Sequence, residues 1–416
     1  MPDARPVILG FDAVSPLGTD LDEQWARART GESGVGPLTR FRLDPGFPVG
    51  VAGQVPAFDD APYPFLAPRP MAHWTSPVFR HALLVVHRAL RRAGVTLGPD
   101  LAPRAAVTFG TAIGGLDAIL AADRELAASA KLPSPFANPN ACVSMVAGKV
   151  SILAGATGPV VTPITACATG STSLALGGML LGAGEADLAI CGAVDFPLVE
   201  PIVAGFATMN GAYKRKPGRE DEPPARASRP FSADRRGFVV AEGAACLVLA
   251  TPDFARAHGL EPRWELAGWC MNGDADHFVA PRRETIARCM AGAIAHAGLA
   301  PADIGAVNAH ATSTKVGDRT EADALDDVFR GRVPPVTANK SLTGHAMGAS
   351  SALEIVLALE GLRDGILPPT INHSPDPEIR LDCVSEGARR LPHEHVLKNA
   401  FGFGGANTCV VLRRLV

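Results

Sequence analysis

Residue types able to carry acyl chemistry sit at the ends of apolar runs in this 416-residue chain. Cys167, in TACATGS (165–171), stands where an uncharged run gives way to a helix-like segment. Free N–H groups and the helix dipole at such a junction favour negative charge, which predicts a thiol of lowered pKa able to act as a nucleophile. Cysteine is also a common inert core residue, so position alone leaves a packing role open. His310 lies in NAHATST (308–314), just past an apolar strand pattern, where a rigid scaffold can aim an imidazole into a cleft. Lys340 and His345 lie in NKSLTGH (339–345), directly before an apolar helix. NAFGFGGAN (399–407) carries glycines that let backbone N–H groups approach a ligand closely. Singly, each has an ordinary reading: a satisfied core histidine, a surface lysine, a tight turn. Together they supply a nucleophile, proton and hydrogen-bond donors, and an oxyanion hole, which is what acyl transfer requires.

The elements that must position these residues follow from periodicity. Residues 160–165 predict a short buried strand, largely β-branched and interrupted only by Pro163. Residues 168–181 predict a helix with small residues at 170, 171, 173, 175, 177 and 178. No face of it is charged, so burial and close backbone packing are expected. Residues 188–194 read as the next buried strand. Upstream come a strand over 6–14, a helix over 21–30, irregular chain over 41–66 and an amphipathic helix over 76–93. A strand over 105–109 enters GTAIGGLDAIL (110–120). Its spacing is not GxGxxG and no Lys-Ser/Thr follows, so Gly110, Gly114 and Gly115 read as tight-turn glycines. A small-residue helix spans 140–153. Residues 211–228 form a charged loop with a basic patch at Lys214, Arg215, Lys216 and Arg219. That loop is either ordinary solvated surface or a dock for an acidic partner. A buried strand over 244–249 is followed by a helix and connector over 251–262, where the halves divide. The second half repeats the style, with helices over 284–297 and 346–361 and strands at 304–309, 334–338, 396–400 and 409–413. This alternation predicts an α/β protein of two parts, residues 1–255 and 256–416.

Composition narrows the function class. A net charge of −3 argues against nucleic-acid and membrane-surface partners, which call for a clearly basic chain. Apolar runs are broken by glycine and charge short of membrane-spanning length. The N-terminus carries Asp3 and runs straight into a strand, unlike a secretory signal. The eight cysteines are scattered, with no CxxC, as expected of reduced thiols in the cytoplasm. His393 and His395, a close pair in a polar stretch, are a weak metal signal beside a solvated loop.

TACATGS, NAHATST, NKSLTGHAMGASSALE (339–354), LPPTINHSPDPEIRLD (367–382) and NAFGFGGAN together resemble the elongating, Cys-His-His type of β-ketoacyl-acyl-carrier-protein synthase. GDADHFVAP (273–281) and ASRPFSADRRGF (227–238) match more loosely. The resemblance runs nearly end to end. It implies a thiolase-like fold, two similar halves in a layered α-β-α-β-α arrangement. Cys167 would be acylated by a carrier-bound primer. His310 and His345 would bind the malonyl thioester carbonyl and stabilise the enolate formed on decarboxylation, and Lys340 would organise the charge around them. The N–H groups of Cys167 and Phe403 would form the oxyanion hole, with the Phe403 side chain as gate. Thr312 and Thr314 fall where the malonyl-carrier arm is contacted, Phe401 beside them on the substrate side, and Ile113 and Phe206 where the acyl pocket is shaped. Asp318 and Glu321 match acids that brace the active-site loops. No metal or organic cofactor is implied, because loss of CO₂ generates the carbanion. The implied partners are acyl- and malonyl-loaded carrier protein and a second subunit, either another copy or a chain-length-factor-like relative.

The departures leave the catalytic positions intact. Ala311 replaces a glycine, Lys315 stands where proline is common, and Ser232 and Arg236 replace two acids. They point toward a specialised pathway, such as a polyketide or polyene system, rather than housekeeping fatty-acid synthesis. Three other readings are weaker. A biosynthetic thiolase needs a second cysteine where this chain has GFGGAN. A chain-length-factor-like subunit, binding carrier without condensing, lacks the nucleophile. A cysteine hydrolase has no use for the Lys340–His345 loop.

Overall fold

The computed structural model describes residues 5–129, 131–214 and 222–415. Of the basic patch, Arg215, Lys216 and Arg219 lie outside the described residues; Lys214 donates to Asn210 Oδ1 at 2.7 Å on the surface.

A ten-stranded sheet organises the chain. Its first five strands are β1 (Val7–Val14), β2 (Ala105–Gly110), β3 (Val160–Val161), β4 (Leu188–Asp195) and β5 (Gly243–Ala250). The second five are β6 (Trp264–Gly273), β7 (Ala306–Asn308), β8 (Val336–Thr337), β9 (His395–Gly402) and β10 (Ala406–Arg414). The order across the sheet is β8-β7-β9-β10-β6-β1-β5-β4-β2-β3. Outward from the centre, each half therefore runs through its strands in the same order. Orientation repeats too. β3, β2 and β4 are parallel, and β5 and β1 add antiparallel. β8, β7 and β9 are parallel, and β10 and β6 add antiparallel. The halves join where β1 meets β6, through Val7 with Glu265 and Ile8 with Trp264.

The helices repeat in step: α1 (Pro77–Arg92), α2 (Ser144–Ala154) and α3 (Thr169–Gly182) follow β1, β2 and β3. Helices α4 (Arg283–His296), α5 (Lys315–Phe329) and α6 (Ser350–Asp364) follow β6, β7 and β8. The two-residue alternation of strands distributes side chains into three apolar layers. On β5, Cys246 and Val248 pack with Leu83 of α1 and Val150 of α2. Leu247 and Leu249 face the other way, onto Leu174 of α3 and Leu353 of α6. On β10, Leu412 joins that central layer, while Val411 packs with Met290 of α4 and Leu325 of α5. Helices α3 and α6 thus lie between the half-sheets, giving the expected five layers.

The small residues of α3 serve that central position. A Cβ on Gly170 would stand 2.5 Å from the backbone nitrogen of Ala352 on α6. The N–H of Ser171 donates to Ser351 Oγ at 2.9 Å at the same crossing. No helix among the described residues is long and apolar enough to cross a membrane.

Local expectations need correction at three places. The buried strand over 160–165 shrinks to Val160–Val161, which are 45% and 39% exposed at the sheet edge. Pro163 has no N–H to continue a ladder. The helix over 140–153 splits into Ala137–Ala141 and Ser144–Ala154, with Cys142 extended between them at ψ 116°. Asn140 ends the first piece by holding the 73–76 segment, accepting from Thr75 N–H at 2.9 Å and donating to His73 O at 2.6 Å. His395 opens β9 rather than lying in a loop, and His393 bonds the Leu391 carbonyl at 2.6 Å.

Candidate active site

Cys167 sits on a sharp elbow. Ala166 holds φ +48°, followed by a 3₁₀ turn over Ala166–Ala168 and then α3. A non-glycine residue there costs on the order of 1–3 kcal/mol, so the surroundings must impose it. Thr169 Oγ1 accepts from the Thr165 N–H at 3.0 Å and donates to the Ala166 carbonyl at 2.7 Å. Thr165 Oγ1, Thr172 Oγ1 and Thr408 Oγ1 form a chain with 2.8 Å steps. Any side chain on Gly402 would collide with the Thr165 carbonyl, so the end of β9 lies flush against the elbow.

The histidines converge on the thiol from the second half. His345 Nε2 lies 3.1 Å from Cys167 Sγ, and its Nδ1 lies 2.8 Å from Ser350 Oγ at the start of α6. The His310 ring crosses that of His345 at 86° with centroids 5.7 Å apart. The Phe401 ring packs against His310 at 5.6 Å, and Phe238 against His345 at 5.5 Å. One nitrogen or sulfur of Cys167, His310 and His345 falls within 4.8 Å of the others. A metal cation there would face the Lys340 and Lys398 ammonium groups, whose repulsion opposes it.

Beneath the histidines lies a buried ionic frame. Lys340 Nζ donates to the His310 carbonyl at 2.6 Å and to Glu354 Oε1 at 2.7 Å. Lys398 Nζ pairs with Glu354 Oε2 at 2.6 Å. Glu321 accepts the N–H groups of His310 and Ala311 at 2.8 and 2.7 Å, and Asn399 Nδ2 at 3.0 Å. Asp318 accepts the N–H groups of Phe231 and Thr314 at 2.7 and 3.2 Å. Ala311 is buried and keeps an ordinary backbone; Ser313, at φ +70°, makes the tight bend of this loop. Thr312 and Thr314 are half-buried at its mouth, their hydroxyls 3.1 Å apart.

The electrostatics reverse one expectation. Burial pushes the Cys167 thiol up to about 11, against the lowering charge of Lys340 and the N–H groups of Phe403 and of Cys167 itself. Desolvation therefore outweighs the elbow's positive end, and the resting sulfur is a thiol. Burial, then the charge of Lys340, holds both histidines well below the usual imidazole range, so both rings are neutral. Burial lifts Asp318 to about 7 and raises Glu321 as well.

The glycine loop is narrower than its motif. Phe401 and Gly402 end β9 and Ala406 opens β10, leaving Phe403-Gly404-Gly405 as the turn, with φ +84° and +74° at the glycines. The Phe403 side chain joins one apolar cluster with Ile113, Phe206, Val203, Phe238 and Met347, beside the thiol. The 110–115 turn does not resemble a phosphate cradle: the Ala112 and Ile113 N–H groups donate to Asp195, at 3.0 and 2.8 Å.

All the anticipated site residues thus fall around one centre: Cys167, His310, His345 and Lys340 within it, Phe401 and Phe403 at its wall, Thr312 and Thr314 at its mouth, Ile113 and Phe206 in the apolar cluster, and Asp318 and Glu321 behind the loops. Sequence reasoning missed Glu354, Lys398, Ser350 and Asp195. For Glu354 the available signal was a charge inside an apolar helix; Lys398 lies in a strand whose burial the sequence does not reveal.

The chain is similar to known proteins along nearly its whole length. Residues 4–255 match the family model of the beta-ketoacyl synthase N-terminal domain, and residues 264–374 that of the C-terminal domain. The chain is 35% identical over 421 residues to 3-oxoacyl-[acyl-carrier-protein] synthase 2 of Coxiella burnetii (strain RSA 493 / Nine Mile phase I), covering 100% of both. It superposes with TM-score 0.90 and 31% identity on the ishigamide ketosynthase/chain length factor, over 99% of this chain and 100% of that one. A type II polyketide acyl-carrier protein in complex with its hexaketide-bound ketosynthase matches with TM-score 0.89 and 28% identity, again over 99% and 100%.

Proposed function

The chain belongs to the beta-ketoacyl synthase family, and on that premise we propose that it elongates carrier-bound acyl chains by decarboxylative Claisen condensation with a malonyl unit. The observation that carries this reading is the 3.1 Å contact of His345 Nε2 with Cys167 Sγ, with the Phe403 N–H also directed at the sulfur.

In the first half-reaction, Sγ attacks the primer thioester carbonyl, its bond to the carrier sulfur breaks, and the thiol proton leaves with the carrier thiol. The transient oxyanion is held by the N–H groups of Cys167 and Phe403. In the second, the malonyl carboxylate departs as CO₂ and its electron pair becomes a thioester enolate. The enolate carbon attacks the acyl group on Cys167 and the C–S bond breaks, releasing Cys167 as a thiolate that takes up one proton from solvent to restore the resting thiol. Neutral His310 and His345 donate N–H to the enolate oxygen, a charge that develops only as CO₂ leaves, so the interaction favours the transition state over the ground state. The Ser350 hydroxyl lies 2.8 Å from His345 Nδ1, and the assignment of the donating proton to Nε2 requires that this hydroxyl be the donor. Lys340, Glu321 and Asp318 hold the loops that aim these groups, Thr312 and Thr314 meet the carrier arm, and Ile113, Phe206 and Phe401 border the acyl chain.

Two parts, residues 1–255 and 256–416, supply the nucleophile and the histidines respectively. The working setting is the cytoplasm, with carrier protein as substrate donor. The partner subunit docks on the β3 edge, where Val160, Val161 and Ile164 are exposed at 45%, 39% and 50%. A thiol contacted by His345 argues against a non-condensing chain-length-factor role.

The deciding experiment is intact mass after incubation with a panel of acyl-carrier thioesters, beside Cys167→Ala. An acyl adduct on wild type alone supports the reading and names the primer. A condensation-competent preparation that never forms the adduct refutes Cys167 as nucleophile.

A further inference from the structure

Among the described residues two lysines are buried, Lys340 and Lys398, and condensation as proposed uses only the first. Lys398, on β9, has a fully buried side chain. Its Nζ pairs with Glu354 Oε2 at 2.6 Å and donates to the carbonyls of Ala309 at 3.3 Å and Asn399 at 2.7 Å. Lys340 takes the other oxygen of the same carboxylate and the next carbonyl along, that of His310. Two lysines on one glutamate therefore grip successive carbonyls of the His310 loop, while Glu321 grips its N–H groups. Asn399, the neighbour of Lys398, donates to Glu321 and closes the ring. A buried ion is costly unless paired, so an ammonium with three polar contacts here requires a return beyond packing.

We propose that Lys398 is a positioning residue for condensation, holding Glu354 and the His310 loop in register and supplying the second positive charge that balances the frame. This rests on the ketosynthase reading. With both lysines charged, Lys340, Lys398, Glu354 and Glu321 sum to zero. Loss of the Lys398 proton leaves one net negative charge behind the histidines, where the enolate must form.

The groups facing Lys398 are Glu354 from α6, Lys340 from the turn after β8, Glu321 from α5, and beyond them the His310 and His345 rings. Burial lowers the Lys398 ammonium to about 8, with Glu354 pulling it back up and Lys340 pushing it down. The frame is therefore intact at neutral pH and comes apart as pH rises through about 8, so condensation, not acylation, carries the alkaline loss.

The test compares the wild type and Lys398→Met in two assays across pH 6–10: acyl transfer to Cys167, followed by intact mass, and malonyl-carrier decarboxylation. For wild type the expected decarboxylation rate falls with an alkaline limb near pH 8 that acylation does not share. For Lys398→Met the expected result is a decarboxylation loss of tenfold or more, at least five times the acylation loss, with the limb gone. Lys398→Gln, which keeps hydrogen bonds without titrating, is expected to recover part of the rate but not the limb. Equal losses in both assays, or an unchanged limb in a folded variant, overturn the proposal. The wild-type limb needs no variant: its absence overturns the proposal even if both variants fail to fold. A wild type that never condenses overturns the ketosynthase reading itself.

Discussion

Cys167 and Gly348 occupy the same place on two matching elbows. Each follows a residue forced to positive φ, Ala166 at +48° and Met347 at +47°, and each lies in a 3₁₀ turn that opens a central helix. The fold repeat thus presents a thiol from one half and a bare backbone from the other. The Gly348 N–H donates to Asp195 at 2.7 Å, and Asp195 also accepts from Thr111, Ala112 and Ile113. One carboxylate ties the second elbow to the turn bordering the apolar cluster.

Gly348→Ala should therefore be costly although the residue carries no chemistry. Its Cβ would stand 2.7 Å from Asp195 Oδ2 and 3.0 Å from the Ala112 nitrogen. Overpacking of this kind costs about 1–3 kcal/mol. Urea denaturation should show that loss, with acylation of Cys167 slowed as the shared acid shifts. An unchanged midpoint would mean that the second elbow accommodates the methyl and that its contact with Asp195 is not tight.

The two histidines should separate the half-reactions. His310→Ala and His345→Ala remove donors from the enolate, a loss of roughly 10²–10³ in rate for a preorganised oxyanion contact. The oxyanion hole of acylation is backbone, so acyl adducts on Cys167 should still form, more slowly in His345→Ala because of its contact with Sγ. Intact mass and decarboxylation read the two steps independently. Equal loss of both steps in His310→Ala would contradict the assigned division of labour.

Much of this was legible because the local rules agreed with the fold. The run of small residues at 170–178 indicated a helix in close backbone contact, and Gly170 against Ala352 is that contact. The cysteine at a strand-to-helix junction, two histidine loops and a glycine turn announced a site before any geometry. Strand order was not legible, because β2 lies between β3 and β4 through helical crossovers of no fixed length. Nor was the thiol's state: the helix end is visible in sequence, but burial is a tertiary property, and it dominates at Cys167. Lys398 escaped for a related reason. A charge within a strand looks like a solvent-facing alternation until both faces prove to be covered.

The β3 edge predicts self-association. Val160, Val161 and Ile164 are exposed at an edge that no strand among the described residues covers, an arrangement that soluble sheets cover or charge. Light scattering should give the mass of two chains. Val161→Glu with Ile164→Glu should shift it toward one and lower activity through the nearby Cys167 elbow. A single-chain mass for wild type would refute self-association.

Cys167 reactivity offers the sharpest check on the site's electrostatics. A thiolate stabilised by a helix end would alkylate at a rate already level below pH 8. A thiol raised to about 11 by burial should instead react faster with each pH unit through 9, since the thiolate attacks. Lys340 is the largest influence opposing that burial. Lys340→Met should therefore slow alkylation at pH 8, because it removes the charge that most favours the thiolate. His310→Ala touches neither that charge nor the backbone N–H groups and should change the rate much less. A plateau below pH 8 in wild type would restore the lowered thiol expected of a helix end.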